Sequence, residues 1–293
     1  MTTIANAEFL DRLFTLLNAD KLALPTMPEI ATSIQGLLRD DNSTLEDLAR
    51  LINQDAAITA LLLQIANSAI FNLGAPVTSV DNAIKRLGRN VIETIVVGMA
   101  MEKLFVASAE ITNRKLKLAW QHGKAVSSIA ATLSRQFPFL KTEQAMLAGL
   151  IHDIGILPIL TLAEEYPALL ANEAQLDALI AEAHAQVGTA ILKKWGFPAH
   201  IVEAVQQHEN LQYQSGAKTT YADLVIVANL LSQNHTDKLA GLVVAEIPAV
   251  MQAGLEFIEK TFPELLAAAR PGMPPPVEQH SNPREAHPVV VAQ

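Results

Sequence analysis

The sequence contains no cysteine among its 293 residues, and aromatic residues make up only 5% of it. Without cysteine, a disulfide framework, a thiolate metal site and a cysteine nucleophile are all excluded, and a reducing compartment is the expected environment. No stretch reaches the roughly 18 consecutive apolar residues of a membrane span, and the first residues lack the basic start and apolar run of a secretory signal. We therefore expect a cytoplasmic protein that has no membrane partner.

Basic residues are also few, since 21 Lys and Arg against 30 Asp and Glu leave a formal net charge of -9. Proteins that bind nucleic-acid backbones gather Lys and Arg to displace counterions, so we expect no nucleic-acid partner. Hydrophobic residues make up 50% of the chain. This content suits one large core or two small ones and excludes the class of disordered chains.

The spacing of the apolar residues is helical along most of the chain. They recur every three or four residues, and no segment shows the sustained alternation of a half-buried strand. The pattern predicts an all-α fold. We predict an N-terminal helical part at 1–107, a helical core at 108–235, C-terminal helices at 236–269 and a disordered, proline-rich tail at 270–293.

Two local features of the first half lead to further predictions. A helix over 56–71 is apolar on most of its sides, which predicts that it is buried on more than one face and forms the hub of this half. Asp55 is placed to cap its start. Ser43 with Glu46 three residues later is a capping-box signature that predicts the start of another helix.

A polar pair, His152 and Asp153, interrupts the apolar segment that runs from Gly149 to Gly155. Burying such groups without hydrogen bonds, a counter-charge or a metal ion costs several kcal/mol. Three more histidines lie on inward-facing stripes of other predicted helices: His122, His184 and His208. One histidine of this kind is more often a hydrogen-bonded core residue than a ligand. Four imidazoles and one carboxylate together suit Zn, Mn, Fe or Ni. The remaining histidines have no predicted role: His200, His235, His280 and His287.

The spacing of these residues resembles the HD superfamily of metal-dependent phosphohydrolases, and the first half resembles the HDOD family, a signalling relative of that superfamily. The first-half motifs are Leu24-Pro25-Thr26-Met27-Pro28, Leu51-Ile52-Asn53-Gln54-Asp55, Leu63-Gln64-Ile65-Ala66-Asn67-Ser68-Ala69 and Ala83-Ile84-Lys85-Arg86-Leu87-Gly88. The second-half motifs are Trp120-Gln121-His122, the segment from Gly149 to Gly155, His184-Ala185-Gln186-Val187-Gly188 and Trp195-Gly196-Phe197-Pro198. The resemblance covers roughly residues 17–235. It implies a multi-helix orthogonal bundle, with an HD-like helical core preceded by an N-terminal helical bundle, in a bacterial protein of signalling and regulation.

The sequence departs from the hydrolases at the residue that closes their metal site. An aspartate on a late helix of the hydrolases corresponds to Asn229 here, and Asp223, six residues earlier, points well away from it on a helix. The branch that cleaves cyclic dinucleotides has a lysine where this chain has Ile156, and its Gly-Tyr-Pro signature is missing after Glu209. The resemblance therefore implies a degenerate or weak metal site and no firmly bound cofactor. Its residues are His122, His152, Asp153, His184, His208 and Asn229.

Two functions from different classes remain open. The first is a non-catalytic regulatory module that contacts a signalling protein or a small signalling ligand. The second is a metal-dependent phosphohydrolase acting on a nucleotide or another phosphoester, with His122, His152, Asp153 and Asn229 around one ion and His184 and His208 near a second. Nucleotide binding without cleavage is a third alternative. The sequence leaves the partner, the signal and the oligomeric state open.

Overall fold

The computed structural model describes residues 2–40, 42–67, 74–216 and 218–233. These residues are helical almost throughout, and none of them is assigned to a β-strand, which confirms the predicted all-α fold. The predicted C-terminal helices at 236–269 and the tail at 270–293 lie outside the described residues. The same is true of three of the histidines without a predicted role: His235, His280 and His287.

The described residues form two successive groups of helices. The first group is α1 (Thr2–Asn18), α2 (Glu29–Arg39), α3 (Leu45–Ile52), α4 (Ala56–Ala66), α5 (Val80–Leu87) and α6 (Arg89–Glu102). The second group is α7 (Glu110–Ser134), α8 (Thr142–Ile151), α9 (Ile156–Ala163), α10 (Pro167–Leu170), α11 (Glu173–Lys194), α12 (Ala199–Gln207) and α13 (Tyr221–Ser232). The predicted boundary at residue 107 falls between the two groups and stays a prediction.

The start of α3 lies one residue away from the predicted cap. The Thr44 hydroxyl accepts a hydrogen bond from the backbone N–H of Asp47, and the Asp47 carboxylate accepts one from the backbone of Thr44. Ser43 does not cap the helix, because its hydroxyl accepts a hydrogen bond from the Arg89 guanidinium at 2.6 Å. The predicted cap of α4 is present, since Asp55 accepts hydrogen bonds from the first backbone N–H groups of that helix.

The hub of the first group is α6, and the prediction that α4 has this role is wrong. Nine residues of α6 are buried, whereas only three of the described residues of α4 are. The reason is their position, since α4 packs against α5 and α6 while α6 packs against α2, α4, α5 and α8. An apolar composition on most sides thus did not make α4 the hub.

Buried apolar residues form two clusters. The smaller cluster joins α2 to α6, and the larger one fills the space among α7 to α13. Phe9 and Leu13 of α1 belong to the larger cluster, because α1 packs against α11. The stretch Thr142–Ala163 is long and apolar enough to cross a membrane, but 72% of its most apolar window is buried inside the fold. We therefore assign this stretch to the core, and the polar pair at 152 and 153 lies within it.

Candidate metal centre

The structure brings all six predicted site residues to one place. His122 lies in the middle of α7, and the pair His152–Asp153 lies in the turn between α8 and α9. The other three residues come from later helices: His184 on α11, His208 at the end of α12 and Asn229 on α13. Five helical segments far apart in sequence therefore converge on one polar cluster within the larger core.

Close backbone packing places the turn that bears His152 and Asp153. A Cβ atom on Gly149 would lie 2.9 Å from the backbone of Ser127 on α7. A Cβ atom on Gly155 would collide with the carbonyl oxygen of His184 and lie 2.5 Å from the backbone nitrogen of Gly188, both on α11. The absence of side chains at these two glycines lets the turn lie directly against the neighbouring helices, which sets the distance from Asp153 to the imidazoles.

The Asp153 carboxylate lies at the centre of the cluster and faces all four imidazoles. Its Oδ1 is 3.3 Å from Nε2 of His184 and 3.4 Å from Nε2 of His208. Its Oδ2 is 3.3 Å from Nε2 of His152 and 3.8 Å from Nε2 of His122. Its side chain is only 13% exposed, so the negative charge is mostly removed from water.

Three of the imidazoles are held by backbone carbonyl groups through Nδ1. The pairs are His152 with Gly149 at 2.8 Å, His184 with Ile180 at 2.7 Å and His208 with Val205 at 2.7 Å. A carbonyl oxygen can only accept, so Nδ1 must carry the proton in each pair. In the neutral form each Nε2 then presents a lone pair to the cluster.

These lone pairs meet one another and the carboxylate. The Nε2 atoms of His184 and His208 are only 2.8 Å apart, and Nε2 of His152 is buried without a hydrogen-bond partner among the described residues. Several acceptors that converge without donors are unfavourable in a buried site unless a proton or a cation lies among them. The donor set therefore fits a divalent cation, and imidazole with carboxylate suits Zn, Mn, Fe or Ni.

The acidic and basic groups of the cluster shift each other's pKa. Burial acts to raise the pKa of Asp153, but the imidazoles around it, His152 first and then His184 and His208, outweigh burial and hold this pKa well below its usual range. Burial acts to lower the pKa of His184, but its hydrogen bond to Asp153 outweighs burial, so the pKa is raised. Burial lowers the pKa of His208.

Asn229 lies on the other side of the cluster, and its hydrogen bonds fix the direction in which its amide group points. Its Nδ2 donates to the Glu209 carboxylate at 3.1 Å, so its Oδ1 is the atom that lies 2.8 Å from Nε2 of His122. The Gln233 amide also donates to this Oδ1 at 2.9 Å. His122 must then donate through Nε2, unlike the other three histidines. Asn229 thus engages Nε2 of His122 in a hydrogen bond and supplies no carboxylate to the site.

Glu209 is a site residue that the sequence prediction missed. Its Oε1 lies 3.8 Å from Nε2 of His208 and 4.0 Å from Nε2 of His184, while its side chain is 49% exposed. The residue directly follows His208 in sequence, and a carboxylate next to a predicted ligand at a helix end was a signal that could have identified it. Its half-exposed position places it where the cluster meets solvent.

Two residues lie where the sequence led us to expect them. Asp223 does not substitute for position 229, because its carboxylate accepts hydrogen bonds from Thr220 in the capping box of α13. His200 lies outside the cluster and contacts the Gln144 side chain at 3.1 Å.

The atoms that could hold a metal ion form two overlapping groups: His122 with His152 and Asp153, and Asp153 with His184 and His208.

We expect the protein to lose stability as the pH falls from 7 to 5. Burial lowers the pKa of three histidines from the ordinary value of 6.5: His122, His200 and His208. In this pH window their unfolded forms take up protons that the native state does not, so the free energy of unfolding falls. The raised pKa of His184 acts against this loss of stability, but it is one group against three. Asp153, whose pKa is lowered, titrates only below this pH window.

Urea denaturation at pH 7, 6 and 5 measures this effect. The midpoint should move to lower urea concentration with each step, and His122→Asn, which lacks the titrating imidazole, should show a smaller change. Equal midpoints at the three pH values would contradict the prediction.

Comparison with known proteins identifies the family that this sequence matches. The model of the HDOD domain family matches residues 24–211. A solved protein from Shewanella amazonensis, provisionally described as a metal-dependent phosphohydrolase, is 28% identical with a TM-score of 0.75, covering 90% of this chain and 99% of the other. An HDOD domain protein of unknown function from Geobacter sulfurreducens is 19% identical with a TM-score of 0.62, covering 89% of this chain and 98% of the other.

Two further matches are longer than this chain. A protein from Marinobacter aquaeolei, provisionally described as a signal transduction protein, is 19% identical with a TM-score of 0.58, covering 90% of this chain and 65% of the other. An uncharacterized protein of Treponema pallidum is 23% identical over an alignment of 224 residues that covers 71% of this chain. The chain spans only 42% of the length of that curated relative.

Proposed function

Because the chain belongs to the HDOD domain family, we propose that it is a non-catalytic regulatory module of bacterial signalling. Its proposed partner is a signalling protein or a small signalling ligand in the cytoplasm. Its remaining metal site weakly holds one divalent cation, bound by His152, Asp153, His184 and His208. The relative described as a signal transduction protein supports the regulatory part of the proposal.

The observation that carries this proposal is the orientation of Asn229. Its amide oxygen accepts hydrogen bonds from His122 and Gln233, and its amide nitrogen donates to Glu209. A carboxylate at this position would attract a cation toward His122, whereas the neutral amide engages His122 in a hydrogen bond. Loss of even a hydrogen bond around a metal ligand reduces metal affinity or activity about 10- to 100-fold, so loss of a ligand carboxylate should cost at least as much.

The other residues of the cluster are arranged to hold a cation. Backbone carbonyls hold the rings of His152, His184 and His208 with Nε2 directed at the ion position, and Asp153 contributes negative charge. A bound divalent cation would supply Lewis acidity and charge stabilisation. The position after Gly155 is Ile156, which is buried and apolar. It contributes no positive charge toward a phosphate, so the chain lacks an anchor for a phosphoester there.

Phosphohydrolysis is the second candidate function, and the convergence of four imidazoles on Asp153 favours it. To separate the regulatory function from the phosphohydrolase function, the purified chain is assayed with nucleotides, cyclic dinucleotides and aryl phosphates in the presence of Mn²⁺. We expect no turnover above the rate of a His152→Ala Asp153→Ala double variant. Turnover by the unmodified chain that the double variant loses would overturn the non-catalytic proposal.

Restoring the carboxylate tests the role of Asn229 directly. Asn229→Asp is expected to raise Mn²⁺ affinity about 10- to 100-fold, because it adds a negatively charged oxygen ligand beside His122. Without metal the new carboxylate faces Glu209, so the variant should unfold at a lower temperature and regain stability as Mn²⁺ is added. Isothermal titration and thermal unfolding with and without Mn²⁺ measure both effects.

The matched control is Asn229→Ala, which removes the amide without adding charge. It should not gain Mn²⁺ affinity. If Asn229→Asp also shows no gain, then the neutral amide is not what weakens the site, and the main support for the non-catalytic proposal is lost.

A further inference from the structure

We propose that Glu209 is a ligand of the ion site and supplies the negative charge that position 229 lacks, with Asn229 as the residue that positions it. This inference rests on the proposed function, in which the cluster holds one divalent cation. It extends the ligand set beyond the residues that the sequence indicated. It also assigns Asn229 a task other than that of a lost ligand.

The position of Glu209 relative to the imidazoles is the first argument. Its Oε1 lies 3.8 Å from Nε2 of His208 and 4.0 Å from Nε2 of His184. Ligand atoms about 2.0–2.2 Å from one ion are about 3–3.5 Å from each other. A shift of roughly half an ångström would therefore bring Oε1 within ligand spacing of both nitrogens. The side chain is half exposed, so this movement disturbs no packed core.

The hydrogen bond from Asn229 is the second argument. Nδ2 of Asn229 donates to the same Oε1 that faces the two imidazoles, at 3.1 Å. The amide is itself held by His122 and Gln233 through its oxygen. This chain of hydrogen bonds directs Oε1 of Glu209 toward the cluster. Groups that orient a metal ligand in this way typically hydrogen bond to the ligand's other lone pairs.

The charge of the site is the third argument. Three neutral imidazoles and Asp153 contribute one negative charge against two positive charges on the ion, which leaves a net charge in a mostly buried cluster. Uncompensated charge in such surroundings is costly. Glu209 would bring the sum to zero without a carboxylate at 229. Added oxygen ligands also suit Mn²⁺ better than an imidazole-rich set alone.

The test measures Mn²⁺ binding to the full chain and its Glu209→Gln variant. Glutamine keeps an oxygen that can accept from Asn229 but removes the charge, so the fold and the hydrogen bond are retained. We expect the Mn²⁺ dissociation constant from isothermal titration to rise about 10- to 100-fold. The matched control is Glu182→Gln, an exposed carboxylate on the helix that bears His184. It should bind Mn²⁺ as the unmodified chain does, and Glu209→Asp should recover part of the loss.

The outcomes separate this inference from the proposed function. If the unmodified chain binds Mn²⁺ and Glu209→Gln binds it equally well, Glu209 is not a ligand and only the present inference fails. If the unmodified chain binds no Mn²⁺, both the proposed ion site and the ligand role of Glu209 are refuted. A loss shared equally by Glu182→Gln would show a general effect of surface charge and would also refute the ligand role.

Discussion

Replacing Gly155 by alanine is expected to destabilise the protein by ~3 kcal/mol or more, the upper end of the cost of overpacking a core. The added Cβ would collide with the carbonyl oxygen of His184 and lie 2.5 Å from the backbone nitrogen of Gly188. Both obstacles are backbone atoms of a buried helix, so they cannot move aside as the end of a flexible side chain could. Urea denaturation of the variant and the unmodified chain measures the difference.

The matched control for this change is Gly36→Ala. Gly36 lies in α2, where an added Cβ would meet nothing within 4 Å. Alanine is favoured over glycine in a helix interior, so this variant should be more stable by up to about 1 kcal/mol. Similar effects of the two substitutions would show that the contact between the turn at 155 and α11 is looser than the structure indicates.

Replacing Asp153 by asparagine is expected to reduce Mn²⁺ affinity more than 100-fold, the largest effect of any single change at the site. Asp153 is the common member of both groups of ligand atoms, and its two oxygens face all four histidines. Because loss of a neighbouring hydrogen bond already reduces metal affinity about 10- to 100-fold, neutralising the shared carboxylate should exceed that range. Isothermal titration and the metal content of the purified protein measure the loss.

Asparagine has nearly the same shape as aspartate, and its amide can donate to the lone pairs of the imidazoles, so the variant should remain folded. Circular dichroism checks this point. The control is Asp177→Asn, which removes a 61% exposed carboxylate that pairs with Lys115. Retained Mn²⁺ binding in Asp153→Asn at unchanged affinity would show that the carboxylate does not hold the ion.

The helices and most of the cluster could be predicted because they depend on local patterns. The spacing of apolar residues identified the all-α fold, and the resemblance to known motifs identified six residues that converge in the structure. The cap at Asp55 also follows from local sequence, since a capping side chain reaches only the next few backbone N–H groups.

Features that depend on packing between distant segments were predicted less well. The composition of α4 indicated a hub, yet α6 has that role because of what packs around it. The serine at 43 matched a capping signature, but Arg89 occupies its hydroxyl from 46 residues away. Glu209 directly follows a predicted ligand in sequence, but only the arrangement of α12 against α13 brings its carboxylate to Asn229.

The sequence by itself determined which chemical groups the site can contain: four imidazoles, the carboxylate of Asp153 and the amide of Asn229. These are covalent facts, independent of conformation. The tertiary structure decided how the groups face one another, because tautomers and hydrogen-bond partners depend on which atoms the packed helices place within about 3 Å. Only there does Asn229 become a partner of His122 and Glu209, and only there do three imidazole lone pairs meet the Asp153 carboxylate.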